Sequence, residues 1–152
     1  MKPRLAVFAA IFAAAAAALP AWAHDDATLD KIKSPNGGQV RMAGVYHFEL
    51  LLAKDSKEAK DNPVIVFVTD HADGKVASKG MKATVTLLGG GQKASAELQP
   101  DGDNRLKGMA RYASAVDLKA VVAVTLPDGK VEQARYTPFA KAAPDPHAGH
   151  KH

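Results

Sequence analysis

The chain predicts an all-β fold, an antiparallel β-sandwich of seven or eight strands of the immunoglobulin-like or Greek-key type, and three observations carry that prediction. From Gly38 onward, apolar residues alternate with polar ones at a period of two through most segments, the pattern of a strand with one face buried. Turn-forming residues recur at nearly regular spacing, at Asp73-Gly74, Gly89-Gly90-Gly91, Pro100 to Asn104 and Pro127 to Lys130, as between the strands of a sandwich. No segment sustains a helical period, and Ser114 to Leu118 has room for one turn at most.

Taken in order, Tyr46, Phe48, Leu50 and Leu52 alternate with His47, Glu49 and Leu51, and a charged loop, Lys54 to Asn62, follows. Pro63 to Thr69 is a continuous β-branched and apolar run suited to a central strand. Met81, Ala83, Val85 and Leu87 alternate with Lys82, Thr84 and Thr86; after the three glycines, Ala94, Ala96 and Leu98 do the same. These two segments predict a hairpin. The glycines between them do not form a phosphate-binding loop, because the Lys-Ser/Thr pair and helix such a loop requires do not follow. Leu106, Gly108, Ala110 and Tyr112 share the face of the next strand, and Lys119 to Leu126 with Val131 to Tyr136 make a final hairpin.

The ends divide from this body. Lys2 and Arg4 precede an apolar run from Leu5 to Leu19, closed by Pro20 and followed by Ala21-Trp22-Ala23. A basic start, an apolar run too short to span a bilayer comfortably and a small-x-small site predict a secretory signal peptide over residues 1–23. The expected organisation is that signal, a mobile N-terminal arm over 24–36, a β-sandwich over 37–137 and a disordered His-rich tail over 138–152. The two arms carry too little apolar surface to offset their ordering entropy.

Composition excludes several function classes. The 20 basic and 16 acidic residues are scattered rather than gathered into a basic stripe, which argues against a nucleic-acid surface. Cysteine is absent, so disulfides, thiolate metal sites and thiol redox chemistry are excluded. No framed nucleophile and no His-Glu-x-x-His metal-hydrolase pattern occurs, and the chain reads as a non-enzyme. Aromatics are few once Phe8, Phe12 and Trp22 leave with the signal, which argues against a small-molecule carrier.

Histidine carries the remaining signal. Three of the six histidines, His147, His150 and His152, fall in the last six residues, where a flexible segment can bring imidazoles to one ion. Signal cleavage after Ala23 leaves His24 as a free N-terminus, an amine–imidazole chelate beside Asp25 and Asp26 that suits Cu(II). On the body, His47 and Glu49 lie two apart on one strand face. If the strand through Val64 to Thr69 returns antiparallel, His71 approaches His47, with Asp70 and Asp73 adding carboxylates nearby. The metal candidates are therefore His24, His47, Glu49, His71, His147, His150 and His152, for a divalent transition metal: copper, nickel or zinc. Met42, Met81 and Met109 form no Met-x-Met or Met-x-x-Met cluster, and Met81 alternates with core residues.

Pro35-Asn36-Gly37-Gly38-Gln39-Val40 leading to Tyr46-His47-Phe48-Glu49-Leu50, then Val68-Thr69-Asp70-His71, Thr84 to Gly90 and Gly102 to Gly108, resembles the extra N-terminal domain of periplasmic adaptor subunits in heavy-metal resistance-nodulation-division efflux systems. The likeness runs from about Pro35 to Pro138. It implies a periplasmic role in transition-metal homeostasis or resistance. Where that family often has a His before the paired glycines, this chain has Asn36, which leaves His47, Glu49 and His71 as the matching polar positions. The competing expectation is a non-catalytic interaction module of an envelope metal-efflux system, binding an efflux adaptor or other envelope protein through a sheet edge or strand face and no metal itself.

Overall fold

The computed structural model describes residues 26–141. It contains a helical turn (α1, Asp26–Leu29) and eight strands: β1 (Gln39–Ala43), β2 (Tyr46–Leu52), β3 (Lys60–Asp70), β4 (Lys82–Gly89), β5 (Gln92–Pro100), β6 (Arg105–Tyr112), β7 (Lys119–Thr125) and β8 (Val131–Tyr136). All strand pairs are antiparallel, in the order β1-β2-β3-β6-β5-β4-β7-β8. The predicted all-β sandwich is the fold observed. Its two layers, β1-β2-β3-β6 and β5-β4-β7-β8, belong to one nearly closed sheet, because β5 pairs with β4 along most of its length and then with β6 through Gln99–Lys107 and Pro100–Leu106.

Alternation explains where the core sits. Phe48, Leu50 and Leu52 of β2, Val64, Val66 and Val68 of β3, and Leu106 and Ala110 of β6 face Ala83, Val85 and Leu87 of β4 and Val122 and Val124 of β7 as one buried cluster. The intervening residues of each strand face outward, as a period of two requires. Pro63 is tolerated within β3 because β2 ends opposite Val64, so the ladder on that side needs no amide from residue 63. At the corner between layers, Gly108 lets β6 approach β5 so closely that a Cβ there would lie 2.3 Å from the Glu97 carbonyl oxygen.

β1 and β8 lie side by side without a ladder, and side chains seal that seam. Tyr136 donates its hydroxyl to the Phe48 carbonyl at 2.9 Å, and the Thr137 amide donates to Gln39 Oε1 at 2.9 Å. Buried Arg41 donates to both carboxylate oxygens of Asp30, at 2.7 and 3.2 Å, and stands 3.5 Å from Asp26. Leu29 is buried. The stretch that composition assigns to an N-terminal arm thus carries specific anchors on the body from Asp26 onward.

The loop from Ala53 to Ser56, leading into β3, is tied down by Tyr112 and Ser114. Tyr112 donates to the Pro63 carbonyl and accepts from the Ala53 amide, while Asn62 donates to Ser56 Oγ and the Tyr112 carbonyl. Burial raises the Tyr112 phenol above its ordinary range, so its proton remains available for the bond to Pro63.

Candidate functional site

The β2–β3 register places Tyr46 opposite Asp70 and His47 opposite Thr69, so the turn after β3 stands beside His47. That turn is built by Asp70, whose Oδ1 accepts from the amides of Ala72 and Gly74 at 2.9 and 2.8 Å. Asp73 adopts a left-handed conformation, φ 60°, which Asp tolerates better than most residues. The Asp70 amide donates to the Gly74 carbonyl at 2.9 Å and closes the loop. A Cβ on Gly74 would come within 2.7 Å of the Asp70 carboxylate, so the turn needs glycine there.

The result is the juxtaposition expected from the sequence. The His47 and His71 rings meet edge to face with centroids 5.1 Å apart, and His47 Nδ1 lies 3.7 Å from Asp73 Oδ1. His47 is mostly buried, whereas His71 and Asp73 are exposed. Among the described residues, His47 Nε2 is buried with no hydrogen-bond partner. Among the described residues, no three His, Cys, Asp or Glu side chains converge into a formed ligand sphere. The arrangement is a pair of imidazoles with one carboxylate nearby.

The walls come from a different part of the chain. A cavity of about 300 Å³ is lined by His47, His71 and Asp73 together with Leu29, Ile32, Lys33, Pro35 and Val40. Reading 24–36 as a polar arm missed this wall. The signal that could have found it is the spacing of Leu29, Ile32 and Pro35, three residues apart each time. Lys33 at the rim brings a positive charge that opposes a cation, and Asp73 offsets it.

The other sequence candidates separate. Glu49 shares the strand face of His47, but its carboxylate accepts from the Asn36 amide (3.0 Å), Asn36 Nδ2 (2.9 Å) and the Gly38 amide (2.8 Å), and it is buried. Those three donors occupy it as the anchor of the turn before β1. Asp70 is likewise engaged in its own turn. Asn36 is thus a donor to Glu49. Met81 is buried in the core and Met109 is exposed; Met42 stands opposite His47 across the β1–β2 ladder. His24, His147, His150, His152 and the expected signal peptide over residues 1–23 lie outside the described residues. No family model, curated protein or solved structure matches the chain.

Proposed function

We propose that the protein is a periplasmic, non-catalytic transition-metal-binding accessory of metal homeostasis or resistance, with His47 and His71 as body ligands and Asp73 beside His47. The observation that supports this reading best is the buried Nε2 of His47, which has no hydrogen-bond partner among the described residues and stands beside a second imidazole. A buried polar atom without a partner carries an unfavourable desolvation cost, and a metal ion bound there would relieve it. The opposite nitrogen, Nδ1, stands 3.7 Å from the Asp73 carboxylate, close enough to draw a cation towards the pair. Imidazole suits copper, nickel and zinc alike. Export rests on the N-terminal signal pattern and on the family resemblance.

Calorimetric titration of the full chain with Cu(II) and Zn(II), compared with His47→Gln and His71→Ala, tests the site. Each substitution is expected to weaken binding by roughly 10- to 100-fold, the range seen when a ligand environment is disrupted, with unchanged circular dichroism. Wild-type affinity in both variants would refute the body site and leave the interaction module as the better reading.

A further inference from the structure

We propose that segment 26–35 is a strap that shuts the histidine cavity and must swing clear before a metal ion can reach His47, so that the clasp holding it, Arg41 on Asp30, sets how readily the site loads. The inference rests on the body site proposed above and concerns the regulation of that site.

The donor atom is closed in. His47 lines the cavity of about 300 Å³, yet its side chain is only 12% exposed and, among the described residues, its Nε2 is buried with no hydrogen-bond partner. An ion must touch this nitrogen to be bound by it, so part of the wall has to give way first. Lys33 lines the same cavity, and its ammonium raises the electrostatic cost of a cation there. The strap thus brings a repulsive charge as well as a wall.

The strap is also the weakest of the walls. Val40 lies in β1, paired with β2, and His47 lies in β2 between β1 and β3. The turn carrying His71 and Asp73 is closed by the amide and carboxylate of Asp70. Leu29, Ile32, Lys33 and Pro35 come from the strap, whose backbone hydrogen bonds, Asp30 to Asp26, Lys31 to Thr28 and Ile32 to Leu29, stay within it. Among its described side chains Leu29 alone is fully buried, and it lies outside the main core cluster; Ile32 is 58% exposed. A segment with so little apolar burial and no ladder belongs to the low-stability end of a fold.

Its two ends are held differently. Near Asp30 the hold is a polar clasp: Arg41 donates to both carboxylate oxygens, at 2.7 and 3.2 Å, and Gln39 donates to one of them at 3.1 Å. The Asp30 side chain is 49% exposed, so water competes for it and the clasp opens at modest cost. At the other end Glu49 accepts from the amides of Asn36 and Gly38, and Ser34 Oγ donates to the Gly38 carbonyl at 2.7 Å. The strap is pinned beside β1 and releasable at Asp30, the layout of a flap. Because the ion binds the open form, its apparent affinity is reduced by the fraction of molecules that are open, and loosening the clasp raises that fraction. By linkage, a bound ion in turn holds the strap away from the body.

The test uses the full chain and Zn(II) alone as the probe, with affinity read by competition against a chromophoric chelator and uptake by stopped flow. Four proteins are compared: wild type, Asp30→Asn, Leu29→Ala and the body variant (His47→Gln with His71→Ala). Asp30→Asn, at a half-exposed position, keeps the fold and is expected to tighten binding and speed uptake by the same factor, roughly 3- to 10-fold. Leu29→Ala should do so at least as strongly. Unchanged affinity and rate in Asp30→Asn would overturn the strap's control and leave the body site standing. Weaker binding in that variant would overturn it too, by making the strap part of the bound site. Wild-type affinity in the body variant would refute the body site and the strap's role together. A second readout is independent of affinity: saturating Zn(II) should lower the hydrogen-exchange protection of amides 29–33 in the wild type and leave it unchanged in the body variant. Raised protection in the wild type would show that the ion closes the strap, and would overturn the proposal.

Discussion

Tyr136 and Phe48, on opposite sides of the seam that keeps the sheet from closing, are joined by a buried hydrogen bond of 2.9 Å from the phenol to the main-chain carbonyl. No ladder joins β1 to β8, so this bond and the Gln39–Thr137 contact stand in for one. Burial raises the Tyr136 phenol far above its ordinary range. Tyr136→Phe leaves the Phe48 carbonyl without this donor and is expected to cost about 1–3 kcal/mol, read as a lower urea midpoint at unchanged m. The wild type gains stability from this group at all pH values below the ordinary tyrosine pKa of about 10 and loses it as pH rises further. Phenolate absorbance from Tyr136 should therefore appear only with base unfolding. Titration of all the tyrosines in the folded state would contradict the burial.

Glu49 tests the division between structural and metal-binding carboxylates. Its three donors come from Asn36 and Gly38, so Glu49→Ala strands two backbone amides and the Asn36 side chain. The expected loss is roughly 2–4 kcal/mol in urea unfolding. Asn36→Ala removes one of these bonds and should cost about 1 kcal/mol. Glu49→Gln, folded, should bind Cu(II) as the wild type does; a 10-fold loss of affinity in that variant would return Glu49 to the ligand set.

The Arg41–Asp30 pair governs the wall of the histidine cavity, because Asp30 follows Leu29 and precedes Ile32. The hydrogen bond from Arg41 holds the Asp30 carboxyl below its ordinary value. A carboxylate whose folded pKa is depressed stabilises the docked arm above its unfolded pKa, and that contribution is lost as pH falls through the folded value. Protection of the amides of residues 29–33 from hydrogen exchange, relative to the intrinsic rate at each pH, should be high near neutrality, lower in acid, and low at every pH in Asp30→Asn. Equal protection in the variant and the wild type would show that Leu29 alone holds the arm.

Much of the strand pattern was legible because a period of two leaves a direct mark on sequence. Phe48, Leu50, Val85, Leu87 and Leu98 fall on predicted inward positions and are buried. The turn signals at Asp73-Gly74, Gly89 to Gly91 and Asp128-Gly129 mark the observed chain reversals. The proximity of His47 and His71 was legible as well, since it needs only that β2 and β3 pair antiparallel around a known offset.

What escaped the sequence depends on partners far along the chain. Glu49 and His47 have the same spacing signal, and only the placement of Asn36 and Gly38 beside Glu49 separates an anchored carboxylate from an open imidazole. The apolar wall of Leu29, Ile32 and Pro35 lies in a segment too polar to predict as packed; it docks because Arg41, an inward charge on β1, requires a carboxylate partner and finds Asp30. Alternation by itself determined which faces of the strands enter the core, because hydrophobic burial acts residue by residue. The tertiary structure alone decided that β5 bends to join the two layers, that β1 and β8 meet without a ladder, and that Nε2 of His47 is buried with no partner among the described residues, because those outcomes are set by contacts between segments tens of residues apart.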